Sequence, residues 1–292
     1  MIYLEAFSLP SEADENSFFD RPIGKNRRTC YTNRYPFRVF WCRQLPEFRF
    51  SPLTILHGGN GSGKTTILNL IAESLHLRRS AVFNRSDFYE DYLAMCRYRL
   101  AVGRSVPKAS HIITSDDVFD YLLDIRNIND GVDKKRAELF DQYHRERSEP
   151  YQLKSLDDYH EFRRRSDAKS CSQSEYVRRQ LRENIPERSN GESALRYFTD
   201  TIRENALYLL DEPENSLSAA RQLALKQFIE DSARFYGCQF IISTHSPFLL
   251  SMQDACIYDL DAEPVQTKAW TELDNVRQYY EFFRQHGDEF TN

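Results

Sequence analysis

No apolar run in this 292-residue chain approaches the ~20 residues that a membrane-spanning helix needs. The opening Met1-Ile2-Tyr3-Leu4-Glu5 has neither a basic n-region nor a long apolar core, so no secretory signal is expected. Six cysteines (Cys30, Cys42, Cys96, Cys171, Cys238, Cys256) are scattered without a C-x-x-C pair. That scatter argues against disulfides and zinc and for free thiols in a reducing cytoplasm. Charge bias is missing too. A net charge of -5 and a pI near 5.9 leave nothing global that advertises nucleic-acid binding, although a local basic patch stays open. No internal repeat or low-complexity tract stands out. What is present suffices for a core: 40% hydrophobic and 28% charged residues with a mean hydropathy of -0.65 describe a water-soluble chain. Its length suits one large domain, or a core domain carrying a sizeable insertion.

The most specific stretch is Gly58-Gly59-Asn60-Gly61-Ser62-Gly63-Lys64-Thr65, which fits G-x-x-x-x-G-K-[ST] without a mismatch. Leu53 to His57 before it is short, apolar and partly β-branched, hence a buried strand. Ile67, Leu68, Ile71 and Leu75 after it recur at helical spacing. Strand, glycine loop and helix form a phosphate-binding P-loop. Its glycines let backbone amides wrap a polyphosphate at a helix start, with Asn60, Gly61, Ser62, Gly63, Thr65 and Thr66 lining the loop. Lys64 is expected to reach the β- and γ-phosphates of ATP, and Thr65 to bind Mg²⁺.

Before this motif, residues 1–57 read as β-rich. Strands are expected at Ile2 to Leu9, Tyr35 to Trp41 and Phe48 to Phe50, with a loop over 11–29. After it, about 84–188 is polar, charged and mostly helical in period. Asn129-Asp130-Gly131 breaks the helix there, and one short strand occurs at His111 to Thr114. The core resumes with a helix over 194–204 and a strand at Ala206 to Leu210. A helix from Ala219 to Phe235 ends at Gly237, followed by a strand at Phe240 to Ser243. The tail gives a strand from Cys256 and a helix from Asn275 to Phe283.

Two further stretches bear chemistry. Ala206 to Leu210 runs into Asp211-Glu212-Pro213. Beside a P-loop, a carboxylate at a strand end can hold Mg²⁺, the role assigned to Asp211, and Glu212 can orient or deprotonate the attacking water. Ile241-Ile242-Ser243-Thr244-His245 places a histidine just past a buried strand, where a neutral imidazole can hydrogen-bond the γ-phosphate or the water. Ser189-Asn190-Gly191-Glu192 reads most simply as an S-x-x-E capping box for the helix that follows. The Ser189 hydroxyl and Gly191 amide there also form an anion site for the γ-phosphate of a nucleotide on another subunit.

In this order, the P-loop, Ser-Asn-Gly-Glu, Leu-Leu-Asp-Glu-Pro and Ser-Thr-His-Ser-Pro resemble the motifs of ABC-type ATPase heads. The non-transporter branch with SMC and RecF is the nearest in pattern, and within it the small bacterial AAA-family ATPases grouped with abortive-infection proteins. The opening Ile2 to Pro10 and the Trp270-Thr271-Glu272-Leu273 tail resemble that last group. The resemblance implies an α/β P-loop NTPase head over 1–292, with an N-terminal β-rich subdomain and a helical insertion, a lid, over 84–188. It further implies a homodimer sandwiching two ATP molecules, with Lys64 and Thr65 of one subunit facing Ser189 and Gly191 of the other. Glu214 to Ser218 becomes the D-loop at the seam, and His245 the switch histidine.

The chain departs from that pattern in two places. The family's Leu-Ser-Gly-Gly-Gln reads Arg188-Ser189-Asn190-Gly191-Glu192. No Q-loop glutamine follows strand 111–114, leaving Ser115, Asp116 or Asp117 in its place. Tyr35 and Phe37 are the candidates for adenine stacking, with core packing as the plainer reading. Arg163 to Arg165, Lys169, Arg178, Arg179 and Arg182 form a basic cluster over 163–182 that can meet nucleic-acid phosphates. Interleaved acids favour a solvated helical face instead. The expectation is a cytoplasmic ATPase switch that signals to a partner protein or nucleic acid, in anti-phage defence or DNA maintenance. The alternatives are the soluble ATPase subunit of a transporter, or a regulator of a separate nuclease or toxin effector.

Overall fold

Three five-residue segments, LTILH, LYLLD and QFIIS, are buried along their whole length. Strands buried on both faces read as continuous apolar runs and belong to parallel sheets covered by helices. That is their setting in the computed structural model, which describes residues 1–20, 30–41, 43–148, 163, 169–181, 183–184 and 190–290.

The strands are β1 (Leu4–Ser8), β2 (Phe48–Arg49), β3 (Leu53–His57), β4 (Arg97–Leu100), β5 (His111–Thr114), β6 (Leu207–Asp211), β7 (Gln239–Ser243), β8 (Cys256–Asp259) and β9 (Gln266–Thr267). The main sheet has the order β5-β6-β7-β3-β8-β9, parallel except for β9. Its register aligns Leu56 with Ser243, Ser243 with Asp211, Thr114 with Asp211, and His57 with Asp259. The carboxyl ends of five strands therefore share one edge, where ligands of open α/β sheets bind. A small antiparallel sheet, β2-β1-β4, accompanies it. The result is a mixed α/β fold with a parallel core and a P-loop after its central strand.

The helices are α1 (Glu12–Asp20), α2 (Lys64–Ser74), α3 (Tyr89–Leu93), α4 (Ser115–Ser148), α5 (Gln173–Gln180), α6 (Asn190–Thr201), α7 (Ala219–Phe235), α8 (Pro247–Leu250) and α9 (Asp274–Gln285). Helix α2 buries Thr66 through Ala72 without interruption, so it lies inside the core rather than along its surface. None of the helices among the described residues is long and apolar enough to cross a membrane.

The chain divides into two compact units, Met1–Val118 with Asn190–Asn292, and Phe119–Ser189. The smaller unit begins about a turn into α4. Between 84 and 118, β4 pairs with β1, β5 pairs with β6, and Tyr89 and Tyr92 of α3 are buried in the main core. The smaller unit has its own cluster of Leu139, Tyr143, Tyr176 and Val177, and the Tyr176 hydroxyl donates to Glu146 Oε2 at 2.8 Å. Of its basic residues, Arg179 is exposed and pairs with Glu175 at 2.6 Å, while Arg164, Arg165 and Arg182 lie outside the described residues.

Three local expectations are corrected. Residues 12–20 are helical rather than looped: Ser11 Oγ accepts from Asp14 N at 3.2 Å and Asp14 Oδ2 from Ser11 N at 2.9 Å, a reciprocal cap with acids in the first turn. Tyr35 to Trp41 is a series of turns, not a strand. Phe37, Val39 and Trp41 donate backward to residues 34, 36 and 38, and the buried aromatics Phe37 and Phe40 fall three apart rather than two. Asn129 to Gly131 does not interrupt α4. A Cβ on Gly131 would meet nothing within 4 Å, and an exposed helical glycine costs only about 1 kcal/mol.

Gln239, fully buried at the start of β7, ties the two sheets together. Its Oε1 accepts from Tyr3 N at 2.7 Å and Leu4 N at 2.9 Å, and its Nε2 donates to Leu4 O at 2.8 Å. Gln239→Ala strands these backbone groups of Tyr3 and Leu4 and is expected to destabilise by about 2–4 kcal/mol. In a thermal melt that corresponds to a midpoint roughly 5–10 °C lower.

Candidate functional site

The P-loop leaves β3 at His57 and enters α2 at Lys64. Two of its glycines are required by space. A Cβ on Gly63, which sits at φ +95°, would lie 2.3 Å from Phe40 Cε1. One on Gly58 would lie 2.7 Å from Ser62 Oγ. The loop is held from outside: Arg43 Nη1 donates to Ser62 O at 2.8 Å and Leu260 O at 3.2 Å, and Gly59 N donates to Asp261 Oδ2 at 2.6 Å. Asn60 and Gly61 form its exposed crest. Ser62 Oγ is buried without a hydrogen-bond partner, a polar group that a phosphate oxygen would satisfy.

Lys64 is 5% exposed. Its Nζ donates to Gly58 O at 2.9 Å, Gly59 O at 3.2 Å and His245 Nε2 at 2.8 Å. Burial pushes its pKa down, opposed by the carboxylates of Glu212 and Asp211. An ammonium only donates, so Nε2 of His245 is the acceptor and its proton sits on Nδ1. The 3.7 Å separation between Nε2 and Glu212 Oε1 is therefore not a hydrogen bond. Burial, and then the charge on Lys64, hold His245 below the usual imidazole range.

Thr65 Oγ1 donates to Asp211 Oδ2 at 2.8 Å and Oδ1 at 3.1 Å. Ser243 Oγ donates to the same carboxylate from the neighbouring strand end. Asp211 is 8% exposed, and burial raises its pKa. No cluster of three or more His, Cys, Asp or Glu that could hold a metal occurs among the described residues. Magnesium does not require one, since it takes one or two protein oxygens together with phosphate and water. An exposed threonine hydroxyl beside a buried carboxylate fits that demand.

Glu212 adopts the left-handed region at φ +48°, and its N–H donates to Ser243 O at 3.0 Å. Its Oε2 accepts from Asn215 Nδ2 at 3.2 Å. With His245 and Asn215 it opens onto a cleft of about 1000 Å³ walled by Phe248, Trp270 and the exposed Tyr279 and Tyr280 of α9.

The remaining expected residues are placed as follows. Thr66 accepts from the Tyr35 hydroxyl at 3.1 Å. Phe37 is buried and stacks on Phe18 at 4.8 Å, so it is core and not an adenine platform. Asp117 spends both oxygens on Ala81 N, Thr114 N and Thr114 Oγ1 (2.7–2.9 Å), which commits it to the β5–α4 junction and removes it from the Q-loop candidates. Ser115 and Asp116 stay open. Ser189 lies outside the described residues. Gly191 lies in the first turn of α6, where a Cβ would be 3.5 Å from Ser216 O, and Glu192 pairs with Arg221 at 2.8 Å. The sequence reading did not single out Ser243, Asp261 or Arg43 as site residues. Ser243 and Asp261 do follow apolar strands whose ends converge here, but only the strand order reveals that.

Residues 179–251, about a quarter of the chain, match the family model described as "AAA domain, putative AbiEii toxin, Type IV TA system"; they include Asp211, Glu212 and His245 but not the P-loop. No curated protein matches. Among solved structures, the chain is similar to the SMC head domain of Pyrococcus furiosus bound to the C-terminal domain of ScpA, at 14% identity and TM-score 0.43, covering 97% of this chain and 100% of that one. It is also similar to a dimeric bacterial ABC transporter cassette, at 13% identity and TM-score 0.39, covering 78% and 90%. A third is the SMC head domain from Thermotoga maritima, at 14% identity and TM-score 0.34, covering 74% and 90%.

Proposed function

We propose that the chain is an ATP-hydrolysing switch of the ABC/SMC-like type, closing as a head-to-tail homodimer around ATP and passing that state to a partner. The observation that carries this reading is the convergence of Lys64, Thr65, Asp211, Glu212 and His245 at the ends of three neighbouring strands. Thr65 and Asp211 would hold Mg²⁺, which when bound neutralises phosphate charge. Lys64 exchanges its main-chain carbonyl partners for phosphate oxygens, and Ser62 Oγ gains the partner it lacks. Glu212, oriented by Asn215 and facing the cleft, takes the proton of the attacking water. His245, neutral and with Nε2 as an acceptor, orients that water.

Completion of the site by Ser189 and Gly191 of a second copy is supported by the position of Gly191 at a helix start beside Ser216 and Ser218 of the D-loop. Signalling to a separate effector is supported by the exposed aromatic wall that adjoins Glu212 and His245. An abortive-infection role rests on the family-model match over 179–251. Nothing in the geometry favours the transporter alternative, in which a Q-loop glutamine would follow β5.

Lys64→Ala is expected to lower ATP turnover by about 10²–10³-fold, as loss of one charge-stabilising donor does. A phosphate-release assay checks it, and normal turnover would overturn the P-loop assignment. Glu212→Gln is expected to cut kcat by about 10²–10⁴-fold while favouring a dimer with ATP. Light scattering reads the second part, and a monomer with ATP counts against the sandwich.

Because His245 sits below 6.5 in the free protein, its neutral form survives acidification past that value. The acid limb of kcat/KM, which reports free-enzyme groups, is therefore expected below pH 6.5. A profile from pH 5 to 8 with its midpoint at or above 6.5 would contradict the assignment.

A further inference from the structure

Glu214 lies two residues past Glu212 and lines the same cleft. One of its oxygens, Oε1, accepts three hydrogen bonds from consecutive residues: Thr244 Oγ1 at 2.7 Å, His245 N at 2.7 Å and Ser246 N at 3.1 Å. The other, Oε2, is buried with no partner. A carboxylate taken out of water this far is retained only where its donors repay the desolvation. The donors here are the main chain and flanking hydroxyl of the one histidine whose ring meets Lys64.

The same short loop is braced from its other side. Ser246 Oγ caps α8 by accepting from Phe248 N at 3.2 Å and Leu249 N at 3.3 Å, and it donates to Gln222 Oε1 of α7 at 2.6 Å. Thr244 Oγ1 accepts from Ser246 N at 3.0 Å. The histidine backbone is thus clamped between Glu214 and α7, leaving the ring only its side-chain torsions. Glu212, in the left-handed region and followed by Pro213, and Glu214 both line the cleft, but only Glu214 is bonded to the histidine loop.

We propose that Glu214 is a positioning residue for His245: it fixes the histidine main chain through one carboxylate oxygen, and thereby the tautomer and place of the Nε2 acceptor at Lys64. This rests on the ATPase reading for its consequence in turnover, but its structural content stands without nucleotide. An oxygen acceptor at that reach is what the loop requires, not a negative charge. Glutamine keeps the acceptor, whereas aspartate is one methylene too short and alanine lacks it.

Two measurements on the full chain test it. Nitrogen-15 NMR of the His245 ring in nucleotide-free protein is expected to show one tautomer, protonated on Nδ1, in wild type and Glu214→Gln. Tautomer mixing is expected in Glu214→Asp and Glu214→Ala. Turnover is expected about 10²-fold lower in the Asp and Ala variants, as an ångström-scale misplacement produces, with binding of a fluorescent ATP analogue within about three-fold of wild type. The Gln variant should turn over within about three-fold of wild type, and His245→Ala should mask the Glu214→Ala loss in the double variant, because residues acting through one another are not additive. A single unchanged tautomer in the Asp and Ala variants, a Gln variant as slow as Ala, or additive losses would each overturn the proposal. Should Ala fail to fold, Asp against Gln carries the same comparison. Wild-type turnover that is absent, or indifferent to Lys64→Ala, defeats the ATPase reading alone, and the ring spectra still decide the role of Glu214.

Discussion

The site depends on a single buried carboxylate. Asp211 ends a fully apolar strand, and an ionised group there is costly unless it is hydrogen-bonded and near an opposite charge. Both conditions are met by neighbours far away in sequence. Thr65 supplies a hydroxyl from the first turn of α2, Ser243 supplies one from the next strand, and Lys64 brings the positive charge. Each bond to a charged acceptor contributes about 1.5–3 kcal/mol. The same contacts therefore close the sheet edge and assemble the candidate chemistry. The P-loop, β6 and β7 cannot move apart without exposing that charge to an environment that does not solvate it.

A second constraint separates two adjacent acids. At φ +48°, Glu212 occupies a region that non-glycine residues rarely adopt, a form of strain concentrated at functional sites. The N–H of Glu212 continues the pairing with Ser243 while its side chain leaves the sheet for the cleft. Asp211 is consequently buried and held by hydroxyls, whereas the Glu212 side chain is 33% exposed with one amide partner. Neighbouring carboxylates in such different surroundings suit different tasks, and here the difference comes from one backbone torsion followed by a proline.

Features written within a few residues were legible in the sequence. The P-loop between β3 and α2 depends on local glycine geometry and apolar period, and α7 runs from Ala219 to Phe235 as its period and Gly237 imply. Features that depend on strand order were not. Ser243 is an ordinary strand-end serine until β7 is known to lie between β3 and β6, and Asp261 is an ordinary loop acid until β8 is placed beside β3. Charge misled the reading at 12–20, where acids that suggested a loop favour a helix start. Composition misled it at 129–131, where the cost of one glycine is smaller than the gain from continuing a long helix. The strand β4 was hidden for another reason: its residues look polar and loop-like, and it is held by its pairing with β1 rather than by burial of its own side chains.

One short stretch joins the parts that the sequence presents separately. From Glu212 to Ser218 the chain passes the cleft acid, its Asn215 partner, the Glu214 clamp on the histidine loop, and the Ser216 carbonyl against Gly191 at the start of α6. The carbonyl of Glu212 accepts from Asn215 N at 3.1 Å and that of Glu214 from Leu217 N at 2.9 Å, so the stretch is a tight pair of turns rather than a slack loop. On the dimer reading, the start of α6 is where a second copy's nucleotide would arrive. A displacement there has little slack to dissipate in before it meets Ser216, and from Ser216 it is four residues to the acid and two to the clamp. On that reading, such a path would let occupation of one half-site bias the hydrolytic geometry of the other through packing and hydrogen bonds within a single chain, without the glutamine that is absent after β5.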